Sequence, residues 1–125
     1  MKLFTLDEAN ALLPTVRLII EAISRAHRRV AARREAAKVG AAGAALGGGY
    51  LPGAEKYLAA LLTIAERSGE IEALGVQIKD YERGLIDFPT LREGRVVLLC
   101  WQLGEGDSIE WWHDMEAGFA GRQPI

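Results

Sequence analysis

The stretch GLIDFPTLREGRVVLLCWQLGEGDSIEWWHD, residues 84–114, decides the fold. Its apolar runs are short and are broken by Glu93-Gly94 and by Gly104-Glu105-Gly106-Asp107, connections of hairpin length. Connections this short demand antiparallel neighbours, because a parallel crossover needs roughly a dozen residues or more. The reading is a strand from Leu85 to Phe88 closed by Pro89, a second from Arg95 to Gln102, and a third from Ser108 to Trp112. A further strand precedes them, where Val76 and Ile78 alternate with Gln77 and Lys79 ahead of the Arg83-Gly84 turn.

Upstream the period changes from two to that of a helix. Thr5 and Glu8 have the spacing of a capping box, which starts a short helix at Leu6. Pro14 lacks the donor a helix interior needs, so the spacing predicts a break there and a longer helix from Pro14 to Lys38. Val16, Ile19, Ile20, Ile23, Ala26, His27 and Val30 form its buried stripe. Arg25, Arg28, Arg29, Arg33, Arg34 and Lys38 crowd its second half, where cations suit the end of the helix dipole. Residues 40–53, GAAGAALGGGYLPG, read as a flexible Gly-rich connection. A second helix follows from Ala54 to Leu74, with Tyr57, Leu58, Leu61, Ile64, Ala65, Ile71 and Leu74 at helical spacing and Gly75 as its stop. The expected fold class is α+β: an antiparallel helical hairpin packed on a small three- to four-stranded antiparallel β-meander. Residues 1–125 read as a single domain, with a helical part over 1–74 and a β-rich part over 75–125.

Strand pairing can be carried one step further. If the last two strands turn about Glu105, Trp101 faces Ile109, Leu99 faces Trp111 and Val97 faces His113. Ile86 and Phe88 join that face, which suits a cover of helices. The opposite face then carries Asp87, Val96, Leu98, Cys100, Glu110 and Trp112, too apolar for a solvated surface. The tail Gly118 to Ile125 or a second subunit must cover it, so a homodimer is expected.

Composition narrows the function classes. A formal charge of −2 gives no global basic field for nucleic acid. No apolar run is long enough to span a membrane, and MKLFTLDEANALLP lacks the basic start and long apolar segment of a signal peptide. A single cysteine excludes an internal disulfide and fits the cytoplasm.

The strings FTLDEANALLP, GLIDFPTLREGRVVLLCWQLGE, WWHD and GFAGRQPI, in this order, resemble the bacterial family catalogued as domain of unknown function 2203. The resemblance spans nearly the whole chain apart from the Gly-rich connection, and its positions here include Asp87, Phe88, Pro89, Arg95, Cys100, Trp101, Glu105, Trp112, His113, Phe119 and Arg122. It implies a small cytosolic prokaryotic protein and brings no activity with it.

Several constellations carry chemistry. Asp87, Cys100, Glu110 and His113, with Glu105 and Asp80 beside them, are residue types that hold a divalent metal such as zinc. No CxxC, HxxxH or HExxH spacing supports them, and the pairing above turns His113 away from Cys100. The competing reading is a buried cysteine acting as a small hydrophobe. A Cys100–His113 nucleophile pair is disfavoured by the mid-strand position of the thiol. Arg83, Arg95 and Arg122 stand beside glycines near turns and suit an anion, unless they pair with Asp87, Glu105 or Glu110. The basic run Arg25 to Lys38 lacks interleaved aromatics, so it reads as a solvated face paired with Glu66, Glu70 and Glu72 and not as a nucleic-acid surface.

The function expected is that of a small binding protein for an anionic molecule or a metal near the C-terminal sheet and tail. Asp87, Arg95, Glu105, Arg122 and Trp112 would contact the ligand, and His113 with Cys100 would ligate a divalent metal. The alternatives are a hydrolase-like or transferase enzyme using His113 with Glu105 or Asp87, and a structural protein–protein interaction module.

Overall fold

The computed structural model describes the backbone of residues 1–44 and 53–125 and the side chains of residues 1–35 and 53–125. Two helices, α1 (Leu6–Ala44) and α2 (Ala54–Ala73), precede β1 (Gln77–Asp80), β2 (Leu85–Arg92), β3 (Arg95–Gln102) and β4 (Trp111–Asp114). A 3₁₀ turn (Phe119–Gly121) and β5 (Gln123–Pro124) complete the chain. The sheet order is β1-β2-β3-β4-β5 and every neighbour is antiparallel. The helices pack against each other, so the molecule is the expected α+β arrangement. The meander gains a fifth strand, because the tail pairs Pro124 with Trp111 and Gln123 with Trp112.

The capping box forms as read: Glu8 N–H donates to Thr5 Oγ1 and Thr5 N–H donates to Glu8 Oε1. These bonds, the backbone amide of Thr5 first, hold the Glu8 carboxyl below the usual range. Pro14, however, does not break the helix; α1 runs through it. Ala9, Leu13, Val16 and Ile20 are buried on both sides of it, while Pro14 itself is exposed. Burial of each large side chain is worth about 1.5–3 kcal/mol, which together outweighs a proline cost of about 3 kcal/mol. α1 also passes Lys38 and reaches Ala44, so the first residues of the Gly-rich connection are helical. Its remainder, 45–52, lies outside the described residues.

α2 ends in a Schellman motif: Val76 N–H reaches Ile71 O, Gly75 N–H reaches Glu72 O, and Gly75 takes φ +88°. Ala60, Ser68 and Ile71 are its buried residues. Leu58 and Leu61, expected on the buried stripe, are instead 58% and 36% exposed. The reason is layering: among the described residues α2 meets α1 and the start of β1, and no third layer covers its flank.

Glu93 and Gly94 both take positive φ, 50° and 80°, as a two-residue primed hairpin turn requires. β2 continues through Pro89, where the sequence suggested a stop. Pro89 O accepts Phe4 N–H at 2.7 Å, so the edge on which Pro89 lacks a donor faces the N-terminal segment and not β3.

Ile86, Phe88, Val97, Leu99, Trp101 and Trp112 meet Phe4, Leu13, Val16, Ile20, Ile23 and Ile71 in the main core. The expected register of β4 is wrong by one residue. Leu99 lies opposite Trp112, Leu98 opposite His113 and Cys100 opposite Trp111. Ile109 N–H is taken by Asn10 Oδ1 of α1, and Trp101 Nε1–H donates to Gly106 O. These two ties draw residues 106–110 out as a loop, and the strand starts at Trp111. The slip exchanges the two faces of β4. It carries Trp112 into the core and His113 to the face of Asp87, Leu98 and Cys100.

That second face is buried within the one chain: Asp87 1%, Leu98 1%, Cys100 0% and His113 3% exposed. The tail supplies part of the cover. Phe119 lies between the Arg83 and Arg122 guanidiniums, 4.6 and 4.7 Å from them, and Arg122 sits over Trp111 at 5.1 Å. The centre of this face is therefore covered within the chain, while Val96 and Glu110 at its margins are not buried.

Candidate metal centre

Asp87 stands in the middle of β2, Cys100 directly across from it on β3, and His113 on β4 opposite Leu98. Side chains of a strand alternate between faces, so this register puts all three on one side of the sheet. One ligand atom from each, carboxylate oxygen, thiol sulfur and imidazole nitrogen, lies within 4.8 Å of the other two. Among the described residues this is the one such group of three, and all three members are buried.

The imidazole is oriented from both sides. Nδ1 lies 2.7 Å from the carbonyl oxygen of Asp114. A carbonyl only accepts, so Nδ1 carries the proton and donates. Nε2 then faces Asp87, 3.1 and 3.2 Å from its two carboxylate oxygens. A hydrogen bond at this contact needs one proton shared between Nε2 and the carboxylate. Both ring nitrogens are engaged, which leaves neither free as a general base toward an outside molecule. Asp87, not Glu105, is the carboxylate partner of His113.

Burial pushes the Cys100 thiol up to about 12, with the nearby Asp87 charge and its hydrogen bond adding to the effect. A thiol nucleophile needs the opposite shift, so the Cys–His pair does not read as a nucleophile. As a metal ligand, the same thiol would surrender its proton to the cation.

Glu105 and Arg122 form a separate unit beside the triad. Arg122 Nη2 donates to both Glu105 oxygens at 2.8 Å and reaches toward Cys100 O at 3.5 Å. Glu105 Oε1 also accepts Gln102 N–H at 2.7 Å. Arg95 pairs with Asp114 at the far end of the sheet, and Arg83 bonds Gln102. The arginines thus take internal partners, but of the acids the competing reading named only Glu105 is among them; Arg95 and Arg83 go to Asp114 and Gln102 instead. The five residues expected around one ligand do not converge: Trp112 is in the core on the opposite face, with Arg92 over its ring at 4.5 Å. Glu110 and Asp80 are outside the triad as well; Asp80 Oδ1 accepts Arg83 N–H. Sequence reasoning missed the Asp114 carbonyl, because a backbone acceptor has no residue signature. It also missed Trp111, whose place under Arg122 depends on the register of β4.

A family model described as an uncharacterized conserved protein (DUF2203) matches residues 2–125. No curated protein and no solved structure matches the chain.

Proposed function

The chain belongs to the family of uncharacterized conserved proteins DUF2203, whose description carries no activity, and from the geometry we propose that it is a metal-binding protein whose centre is Asp87, Cys100 and His113. The observation that carries the reading is the buried convergence of these three ligand types, with the imidazole already held by a backbone carbonyl through its other nitrogen. Metal-bound histidines are held in this way almost without exception, because the second bond fixes the tautomer and the ring plane.

Charge and distance support it. Carboxylate, thiolate and neutral imidazole carry two negative charges between them, which a divalent cation cancels inside a low-dielectric site. The ion would displace two protons, one shared by Asp87 and His113 and one from the Cys100 thiol. Zinc bonds of about 2.0–2.3 Å place tetrahedral ligands roughly 3.5 Å apart. The Asp87–His113 separation of 3.1 Å already suits this, and the sulfur, within 4.8 Å of the other two ligand atoms, needs to close by at most on the order of 1 Å. Mixed sulfur, nitrogen and oxygen ligation selects zinc or a neighbouring transition ion over calcium or magnesium. Three protein ligands leave a fourth position, where an exogenous anion would bind.

We read residues 1–125 as one folding unit. A thiolate ligand with no disulfide partner fits a reducing compartment such as the cytoplasm. No helix among the described residues is long and apolar enough to cross a membrane.

The test is elemental analysis with native mass spectrometry on protein purified without chelator or affinity tag. One transition ion per chain is expected, lost in Cys100→Ser while the fold is kept. Metal-free wild type, unable to take up added zinc, would overturn the reading, as would undiminished metal in Cys100→Ser and Asp87→Asn together.

A further inference from the structure

The distal half of the helical hairpin carries, among the described residues, a dense cluster of cations. Arg25, Arg28, Arg29, Arg33 and Arg34 occur within ten residues of α1 without an intervening acid, and Lys56 of α2 stands beside them. Among the described residues none of the six has an ion pair or side-chain hydrogen bond. Glu70, one of the acids expected to meet them, is bound to Arg67 of its own helix. The other expected rationale fails too. α1 ends at Ala44 with no basic residue in its last turn, so these arginines lie mid-helix, away from the end whose dipole favours cations. Arg33 is placed against the sign of the neighbouring dipole. Its Nη1 is 3.7 Å from where a Cβ at Gly53 would stand, at the N-terminus of α2, which has no side-chain cap.

Arg25, Arg29 and Arg33 follow one another at four-residue spacing, a row with about 6 Å between successive cations. Like charges so spaced on a helix repel. The satellite core beneath them, Ala26, Val30 and Ala60 with Tyr57 and Ile64, is small. Beside this row Arg29, Arg33 and Lys56 rim a hollow of about 350 Å³ whose walls include Ala32 and Tyr57. A cation row flanking an apolar hollow with an aromatic wall suits a chain of phosphates bearing flat bases. The structure thus supplies both the unpaired charge and the aromatic that the linear sequence lacked.

We propose that the distal hairpin, along Arg25, Arg29, Arg33 and Lys56 with Tyr57 as a stacking wall, binds single-stranded nucleic acid through its phosphate backbone. The surface is separate from the metal centre and does not depend on it.

Fluorescence anisotropy of a labelled single-stranded oligonucleotide of mixed sequence, titrated with the full chain, tests this. Affinity should fall on the order of fiftyfold between about 50 and 200 mM salt, the slope for roughly four phosphate contacts on a single strand. Arg29→Glu with Arg33→Glu should weaken binding by about tenfold or more, while Arg67→Glu, on the same hairpin, should change it less than about twofold. Should the reversals impair folding, seen by circular dichroism, Arg25→Gln with Arg29→Gln gives the same ordering at smaller size. Tyr57→Leu should weaken binding without changing the salt slope. Absence of binding at low salt overturns the proposal. So does equal loss in Arg67→Glu, or binding of a nucleoside monophosphate or of anionic lipid vesicles in preference to the strand.

Discussion

At the scale of single residues, the Asp87–His113 bond decides the most. Each partner satisfies the other in a place water does not reach. Removing one leaves a buried polar group or charge alone, which costs about 3–5 kcal/mol. His113→Ala measured by urea denaturation in chelator should lose about that much. The double change Asp87→Leu with His113→Phe should lose clearly less than the two single losses summed, because it strands nothing; additive losses would mean the pair is not coupled. Cys100 gives the pH dependence of the chelated protein. Its thiol is raised from 9.0 to about 12, so the folded chain keeps that proton longer than the unfolded one. The resulting stability is complete below pH 9.0 and is lost as pH climbs toward about 12. Wild type should therefore lose stability more steeply over that window than Cys100→Ala; parallel curves would contradict the burial of the thiol.

Elements show where local rules bend to packing. Pro14 occupies a helix interior because the apolar face of α1 is continuous across it. Pro14→Ala should raise stability by about 1–3 kcal/mol by restoring the missing hydrogen bond, offset in part by a freer unfolded chain; a drop in melting temperature would show that the proline shapes the helix. The tail is the second such element. It adds β5 to the sheet edge, and it carries Phe119 and Arg122 over the face that holds the triad. Deleting residues 118–125 should expose Trp111 and the buried face, raise binding of a hydrophobic dye and lower solubility. A soluble truncation of unchanged melting temperature would refute the covering role.

For the whole molecule, the two faces of one small sheet have different tasks. One, with Trp101 and Trp112, packs on the helices; the other holds Asp87, Cys100 and His113 under the tail. Trp112→Ala should cost about 3–5 kcal/mol by emptying a core position, read as a large fall in melting temperature. An unchanged melting temperature would mean that the β4 register is not the one described here. Leu98 and Trp112, two of the residues expected to meet a second copy, are buried inside the chain.

The sequence by itself determined what local chemistry encodes: the capping box at Thr5, the buried stripe of α1, the stop at Gly75, the Glu93-Gly94 turn and the antiparallel order that short connections enforce. Each is set by residues within a few positions of one another. It also held the ligand types Asp87, Cys100 and His113 without the means to join them, since their meeting depends on the register of β4. That register is fixed by the long-range bond from Ile109 to Asn10 and by the burial of Trp112, neither of which leaves a periodic trace. A single-residue slip reverses the face of every side chain in a strand. Only the tertiary structure could therefore decide whether His113 faces Cys100 or turns its back on it, and whether the arginines of α1 find the acids of α2.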